Sequence, residues 1–311
     1  MTDLAPCPAI DIDVPIPVSL HRFGARTSAR LSGRSGGPLV AMLGGISADR
    51  FVAAGAQGGS GWWPGLIGTI DPARRRILGL DFAADETGRT APSTHDQAEI
   101  LAAAIVAAGG GPATIVGASY GGMVALALAE RRPDLVARLV VISAPAAPHP
   151  AATAIRELQR RIVALAIEAG RGAEGLAIAR GLAMTTYRTP EEFAQRFAGG
   201  IPDADPLGVS EAGAYLRARG QAYDAVMSPE RFLSLSASID RHRIDPAAIR
   251  APTLVIGASS DRLVPPGQCA ALAAALPDGR LHILDCLWGH DMFLKDAQRL
   301  GALIGPFLEE A

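Results

Sequence analysis

The residues with the clearest chemical potential lie in the run Gly117-Ala118-Ser119-Tyr120-Gly121. An apolar stretch precedes it and a stretch of small and apolar residues with helical character follows. That is the context in which a Gly-x-Ser-x-Gly motif holds a serine on a tight strand-to-helix turn. Small residues two before and two after the serine let strand and helix approach closely. The helix amides beneath such a serine favour the negative charge of a tetrahedral intermediate. In a chain with 35 glycines the five-residue pattern alone is weak, and its flanks carry the reading.

A serine hydroxyl is a poor nucleophile until a base takes its proton. Four histidines follow Ser119: His149, His242, His282 and His290. His290 sits in Leu287-Trp288-Gly289-His290-Asp291, between the last expected strand and the last expected helix, where the base of such a site belongs. His282 lies within an apolar strand, His149 between prolines and His242 in a charged segment. Asp261, after the apolar run 253–257, takes the place of the acid that would orient the imidazole; its other reading is a turn or helix-capping aspartate. The expected triad is Ser119, Asp261 and His290. An oxyanion hole needs two converging amides. Tyr120 N–H is one, and Gly45 or Ile46, in the Gly44-Gly45-Ile46-Ser47 loop, is the other.

These residues need a scaffold that alternates strands and helices. Runs 38–43, 76–82, 113–117, 138–143, 252–257 and 280–285 read as strands, apolar enough to be buried on both faces. Helices are expected over 95–108 (capped by Ser93 or Thr94), 120–131 and about 293–308. Strand rhythm breaks over 146–249, where 156–169, 175–186, 190–197, 212–224 and 229–239 read as helices. The expected architecture is the α/β-hydrolase fold, with a mostly parallel central sheet and an inserted helical cap. The core comprises residues 1–145 and 250–311, and the cap residues 146–249.

Length, 311 residues, and a 49% hydrophobic content suit one large core with such an insertion. A net charge of −2, from 29 basic and 31 acidic residues, gives no basic stripe for nucleic acid. Cys7, Cys269 and Cys286 are too widely spaced for a metal pattern or a disulfide framework. The N-terminus has early acids and no apolar core of a signal peptide, and no charge-free apolar run would span a bilayer. A cytoplasmic protein without a metal is expected.

Beyond the triad, the chain resembles the homoserine O-acyltransferase family. The resemblance runs through Leu43-Gly44-Gly45-Ile46-Ser47-Ala48, Gly61-Trp62-Trp63, the elbow with Gly122-Met123, residues 179–193, 196–197, 215–221, 234–240 and 259–266, and 289–294. The cap segments are its most specific part, because generic hydrolases lack them. It implies acetyl or succinyl transfer from acetyl-CoA or succinyl-CoA to the hydroxyl of L-homoserine, as in methionine biosynthesis. The implied route is ping-pong through an acyl-serine, in a homodimer paired through the cap. Arg180 matches the arginine that binds the substrate carboxylate, Tyr187 a pocket tyrosine, and Asp291 the partner of the substrate ammonium. From the residues alone these three read as a solvated helix arginine, a packing residue and a helix cap. L-serine is the alternative acceptor. An esterase or thioesterase, or a non-catalytic binding module, is the alternative class.

The elbow carries Ala118 and Tyr120 where many acetyltransferases carry Gly and Met. The oxyanion loop reads Gly-Gly-Ile-Ser-Ala rather than Ala-Leu-Thr-Gly. Both features resemble a shorter branch that includes succinyl-transferring enzymes. A succinyl donor would need a cation for its far carboxylate. Arg50, near the oxyanion loop, is the candidate, against its reading as a surface charge.

Overall fold

The computed structural model of the chain describes residues 9–55, 59–197, 199 and 207–310; Cys7 lies outside them. In order, the elements are β1 (Ile10–Pro15), β2 (Arg26–Gly33), β3 (Leu39–Leu43), α1 (Pro64–Ile70), β4 (Arg76–Leu80), α2 (Thr94–Ala107), β5 (Ala113–Ala118), α3 (Tyr120–Arg131) and β6 (Val136–Ile142). Five helices follow: α4 (Pro150–Glu168), α5 (Gly172–Tyr187), α6 (Pro190–Arg196), α7 (Glu211–Gln221) and α8 (Pro229–Asp240). The chain then closes with β7 (Thr253–Ala258), α9 (Pro266–Ala275), β8 (Gly279–Leu284), α10 (Met292–Lys295) and α11 (Ala297–Glu309).

One eight-stranded sheet runs β1-β2-β4-β3-β5-β6-β7-β8. The β1/β2 and β2/β4 pairs are antiparallel; all others are parallel. Every residue of β3 and β7 is buried, as unbroken apolar runs such as Leu39-Val40-Ala41-Met42-Leu43 require when helices cover both faces. One face packs on α2, α3, α9 and part of the cap, the other on α1 and α11. Residues 120–129 of α3 are all buried, which its Gly and Ala content permits at close range to β5 and β6. A capping box fixes the start of α2: Asp96 N–H donates to Ser93 Oγ, and Ser93 N–H to the Asp96 carboxylate. Ser93, rather than Thr94, is the cap.

The sequence reading missed β1 and β2. Their charges alternate along exposed faces and pair across the strands, Arg30 with Asp11 at 2.9 Å and Arg26 with Asp13. Such strands lack the unbroken apolar run of the central ones. It also missed the short α1. The closing helix is two helices, interrupted at Asp296. The helix expected over 212–224 ends at Gln221 and tightens into a 3-10 turn over Ala222–Ala225. The helices α4 to α8 stand between β6 and β7 and lie over the C-terminal ends of the parallel strands. Among the described residues, no helix is long and apolar enough to cross a membrane.

The elbow permits no side chain at its glycines. A Cβ on Gly121 would stand 2.4 Å from the Leu43 carbonyl carbon, and one on Gly117 2.5 Å from the Gly121 carbonyl oxygen. Gly121→Val should therefore force β3 and α3 apart and cost about 3 kcal/mol. Urea unfolding checks this: an unchanged midpoint would contradict the close approach.

Candidate active site

Ser119 ends the central strand β5 and begins α3 with φ 53° and ψ −121°. A non-glycine residue there is strained and persists only when neighbours hold it. Ser119 N–H donates to Ile142 O at 2.8 Å, and Gly121 N–H to Gly44 O at 2.8 Å. The first bond anchors the turn to β6. The second joins the N-terminus of α3 to the loop after β3.

The hydroxyl, so presented, meets two side chains from separate loops. Ser119 Oγ lies 2.8 Å from His290 Nε2, and His290 Nδ1 lies 2.8 Å from Asp261 Oδ2. With Nδ1–H donating to Asp261, Nε2 is left to accept the serine proton. Asp261 is buried, and its other oxygen accepts from Leu263 N–H (2.9 Å) and Val264 N–H (3.0 Å). Ser260 bridges the two loops, donating to Cys286 O at 2.6 Å and accepting from Gly289 N–H at 3.1 Å. Burial by itself would lower the His290 pKa, but the charge and hydrogen bond of Asp261 outweigh it, so the pKa lies above its ordinary 6.5. The arrangement can take a proton from Ser119 and hold it as an imidazolium beside a carboxylate.

The other histidines have separate places. His149 caps α4, its ring accepting from Ala151 N–H at 3.2 Å. His242 is buried against Thr94 Oγ1 (2.8 Å) and Pro145 O (3.0 Å), and burial lowers its pKa to about 4. His282 is exposed on the edge strand β8.

Two cavities open on Ser119 and His290. The first, about 180 Å³, is lined by Gly45, Ile46 and Tyr120, the three residues expected to supply oxyanion amides, and by Arg180, Tyr187 and Asp291. Arg180 sits on α5 with its guanidinium 5.4 Å from the Tyr187 ring centre and 4.6 Å from that of Tyr223. Among the described residues no carboxylate pairs with it. Two tyrosine faces therefore hold a cation at the wall of the cavity. Tyr187 also stacks 5.8 Å from the His290 ring. Asp291 precedes α10, but its side chain makes no capping bond; Arg188 Nε donates to its Oδ2 at 3.2 Å. The structure thus brings all nine expected site residues, the eight lining side chains and loops together with Asp261 behind His290, into one region.

Arg50 is elsewhere. It pairs with Asp81 at 2.6 Å and Asp11 at 3.4 Å, and lines a separate cavity that does not include Ser119. That cavity includes Ile46, Ser47 and Ala48 of the oxyanion loop, but the Arg50 charge is taken up by Asp81 and Asp11. The second cavity beside Ser119, about 50 Å³, holds a different cation, Arg156 on α4. Arg156 and Arg160 share Asp240 of α8, through bonds of 2.8 Å and 2.5 Å from Arg156 and 2.6 Å from Arg160. Two guanidinium groups on one carboxylate leave one net positive charge, and Arg156 acts electrostatically on His290. The sequence reading missed Arg156. Its available signal was the spacing: like charges four apart on a helix repel unless an acid sits between them.

An eight-stranded, mostly parallel sheet with a serine elbow and a helical insertion before the acid-bearing loop defines an α/β-hydrolase. The model of the alpha/beta hydrolase fold matches residues 51–297. The chain is 40% identical to the homoserine O-succinyltransferase of Xanthomonas campestris pv. campestris, over 96% of this chain and 83% of that protein. It is 35% identical to the homoserine O-acetyltransferase of Deinococcus radiodurans, over 79% of this chain and 77% of that one. Among solved structures, esterase E22 superposes with a TM-score of 0.84 at 18% identity, covering 97% of this chain and 100% of that one, a likeness of fold alone. The chain belongs to the homoserine O-acyltransferase family, transferases built on the α/β-hydrolase fold.

Asp261→Asn should slow labelling of Ser119 by a fluorophosphonate on the order of ten-thousand-fold. It should also move the acid limb of the labelling rate to lower pH. Only neutral His290 accepts the proton, and Asp261 is what raises its pKa against burial. Labelling rates measured across pH would contradict this if the midpoint stayed or rose.

Proposed function

We propose that this enzyme transfers a succinyl group from succinyl-CoA to the hydroxyl of L-homoserine through an acyl-Ser119 intermediate. The observation that carries the reading is that an unpaired Arg180 and the carboxylate of Asp291 share one cavity with Ser119. A zwitterionic amino acid needs both: a guanidinium for its carboxylate, through two parallel bonds, and an anion for its ammonium. A simple ester needs neither.

In the first half-reaction His290 Nε2 takes the Ser119 proton as Oγ attacks the thioester carbonyl. The tetrahedral oxyanion rests on Tyr120 N–H and an amide of Gly45 or Ile46. Collapse breaks the carbon–sulfur bond, and His290 returns its proton to the leaving thiol. In the second, L-homoserine occupies the Arg180 cavity, His290 takes its hydroxyl proton, and the oxygen attacks the acyl-enzyme. Collapse releases O-succinylhomoserine, and Ser119 recovers the proton. Tyr187 walls the site above His290. The cap over it limits the entry of water, the competing acceptor.

The choice of succinyl rests on Arg156. Arg156, part of a net positive cluster, lines the smaller cavity beside Ser119, where a far carboxylate of the acyl group would lie. The 40% identity to a homoserine O-succinyltransferase supports the same donor.

The test is thiol release from succinyl-CoA and acetyl-CoA, with L-homoserine, with L-serine and with neither. Release should require succinyl-CoA and L-homoserine and vanish in Ser119→Ala. Equal release without an acceptor would make the protein a thioesterase, and preference for L-serine would change the acceptor. Arg156→Leu should lower kcat/KM for succinyl-CoA by roughly a hundredfold, the worth of a charged hydrogen bond of about 3 kcal/mol, while acetyl-CoA loses far less. An equal loss for both donors would remove Arg156 from donor selection.

A further inference from the structure

Behind Asp291 lies a buried cluster of charges that the transfer chemistry does not use. Glu192, on α6 in the cap, is 1% exposed. Its Oε1 accepts from Lys295 Nζ of α10 at 2.5 Å and lies 3.5 Å from Arg188 Nη1 and 3.5 Å from Arg196 Nη1. Arg188 in turn holds Asp291 Oδ2 through Nε at 3.2 Å. Arg188 and Glu192 are four residues apart in the cap, and Asp291 and Lys295 are four apart in the core. The four side chains form a chain of alternating charge, Asp291–Arg188–Glu192–Lys295, across the cap–core boundary.

Two independent features press the same boundary together. Thr189 Oγ1 donates to Leu287 O at 2.8 Å. Gly289 adopts φ 56°, and a Cβ there would come 2.6 Å from Tyr187 O. The loop that carries His290 and Asp291 is thus seated on the end of α5 and the start of α6.

Such a cluster is a poor way to gain stability. Desolvation of buried ions offsets much of their attraction. This one also leaves Glu192 Oε2 and Arg188 Nη1 buried with no hydrogen bond. What it does supply is geometry. A bond to one carboxylate oxygen fixes the rotation of the Asp291 side chain, and among the described residues no hydrogen bond engages its other oxygen. Asp291 lines the cavity shared with Arg180 and Ser119.

We infer that Arg188, Glu192 and Lys295 form a cap-to-core clasp that positions Asp291 to receive the ammonium of the amino-acid acceptor. They are positioning residues, since they reach the acceptor only through Asp291. The inference rests on the acyltransferase reading above. It makes the acceptor site a joint product of cap and core, whereas the acylation half of the reaction needs only Ser119, His290, Asp261 and the oxyanion amides.

Two readouts separate the halves. Lys295→Met and Glu192→Gln should each raise the KM for L-homoserine roughly tenfold, as a displaced binding group does. Single-turnover thiol release from succinyl-CoA, measured without acceptor, should stay within about twofold of wild type. The double variant should be no worse than either single one, because each change opens the same clasp. Arg188→Lys, which keeps the charge but loses the fixed fork, should fall between wild type and Arg188→Met. An unchanged KM, or a fall in thiol release matching the loss for acceptor, would overturn the clasp. Should Glu192→Gln fail to fold, Lys295→Met decides, because Lys295 is a quarter exposed and touches the cluster from its rim. A wild-type enzyme with no thiol burst would overturn the acyltransferase reading itself, a result visible before any variant is made.

Discussion

The structure depends on a backbone constraint at one residue. Ser119 must hold φ 53° at the junction of β5 and α3, and nothing in its own side chain favours that conformation. It is held from three sides: Gly117 and Gly121 let strand and helix close to contact distance, Ile142 O takes its amide, and Gly44 O takes that of Gly121. The last bond has a second consequence. It sets the loop of Gly45 and Ile46 against the N-terminus of α3, so the elbow that exposes the nucleophile also brings that loop beside it.

Around that fixed point the labour divides between core and cap. The core provides proton transfer. Asp261 and His290 arrive on loops after β7 and β8, tied to one another by Ser260, and the buried carboxylate keeps the imidazole basic. The cap provides the cations that line the two cavities. Arg156 on α4 and Arg180 on α5 line two cavities that both include Ser119, with Tyr187 and Ile239 lining both. Each arginine is held differently. Arg156 is pinned by the carboxylate of Asp240, which costs half of the pair's charge. Arg180 is pinned by the faces of Tyr187 and Tyr223, which leaves its charge whole.

The fold shared with an esterase at a TM-score of 0.84 underlines how little of the specificity the scaffold carries. A nucleophile, a base and an acid at these places serve many acyl-transfer reactions. Beside that shared machinery this chain sets Arg156 and Arg180 from the cap and Asp291 from the core.

The sequence by itself determined the parts whose physics is local. A tight strand-to-helix turn requires Gly117 and Gly121 whatever surrounds it. Central strands buried on both faces must be unbroken apolar runs, so β3 to β7 were legible, as were Ser119, Asp261 and His290 from their places at strand ends. Arg180, Tyr187 and Asp291 became legible only through family resemblance, because an arginine, a tyrosine and an aspartate on helices have ordinary readings. The strands β1 and β2 were missed because they lack the unbroken apolar runs of the central strands: β1 alternates Ile10, Ile12 and Val14 with Asp11 and Asp13, the shorter pattern of a strand packed on one face. Tertiary structure alone showed which arginines lie beside Ser119. Near the oxyanion loop in the chain, Arg50 turns away to Asp81 and Asp11; 37 residues beyond Ser119, Arg156 is brought beside it by the fold of α4 over the sheet. Charge acts through space, and distance along the chain does not report distance through space once a hundred-residue insertion folds back over the site.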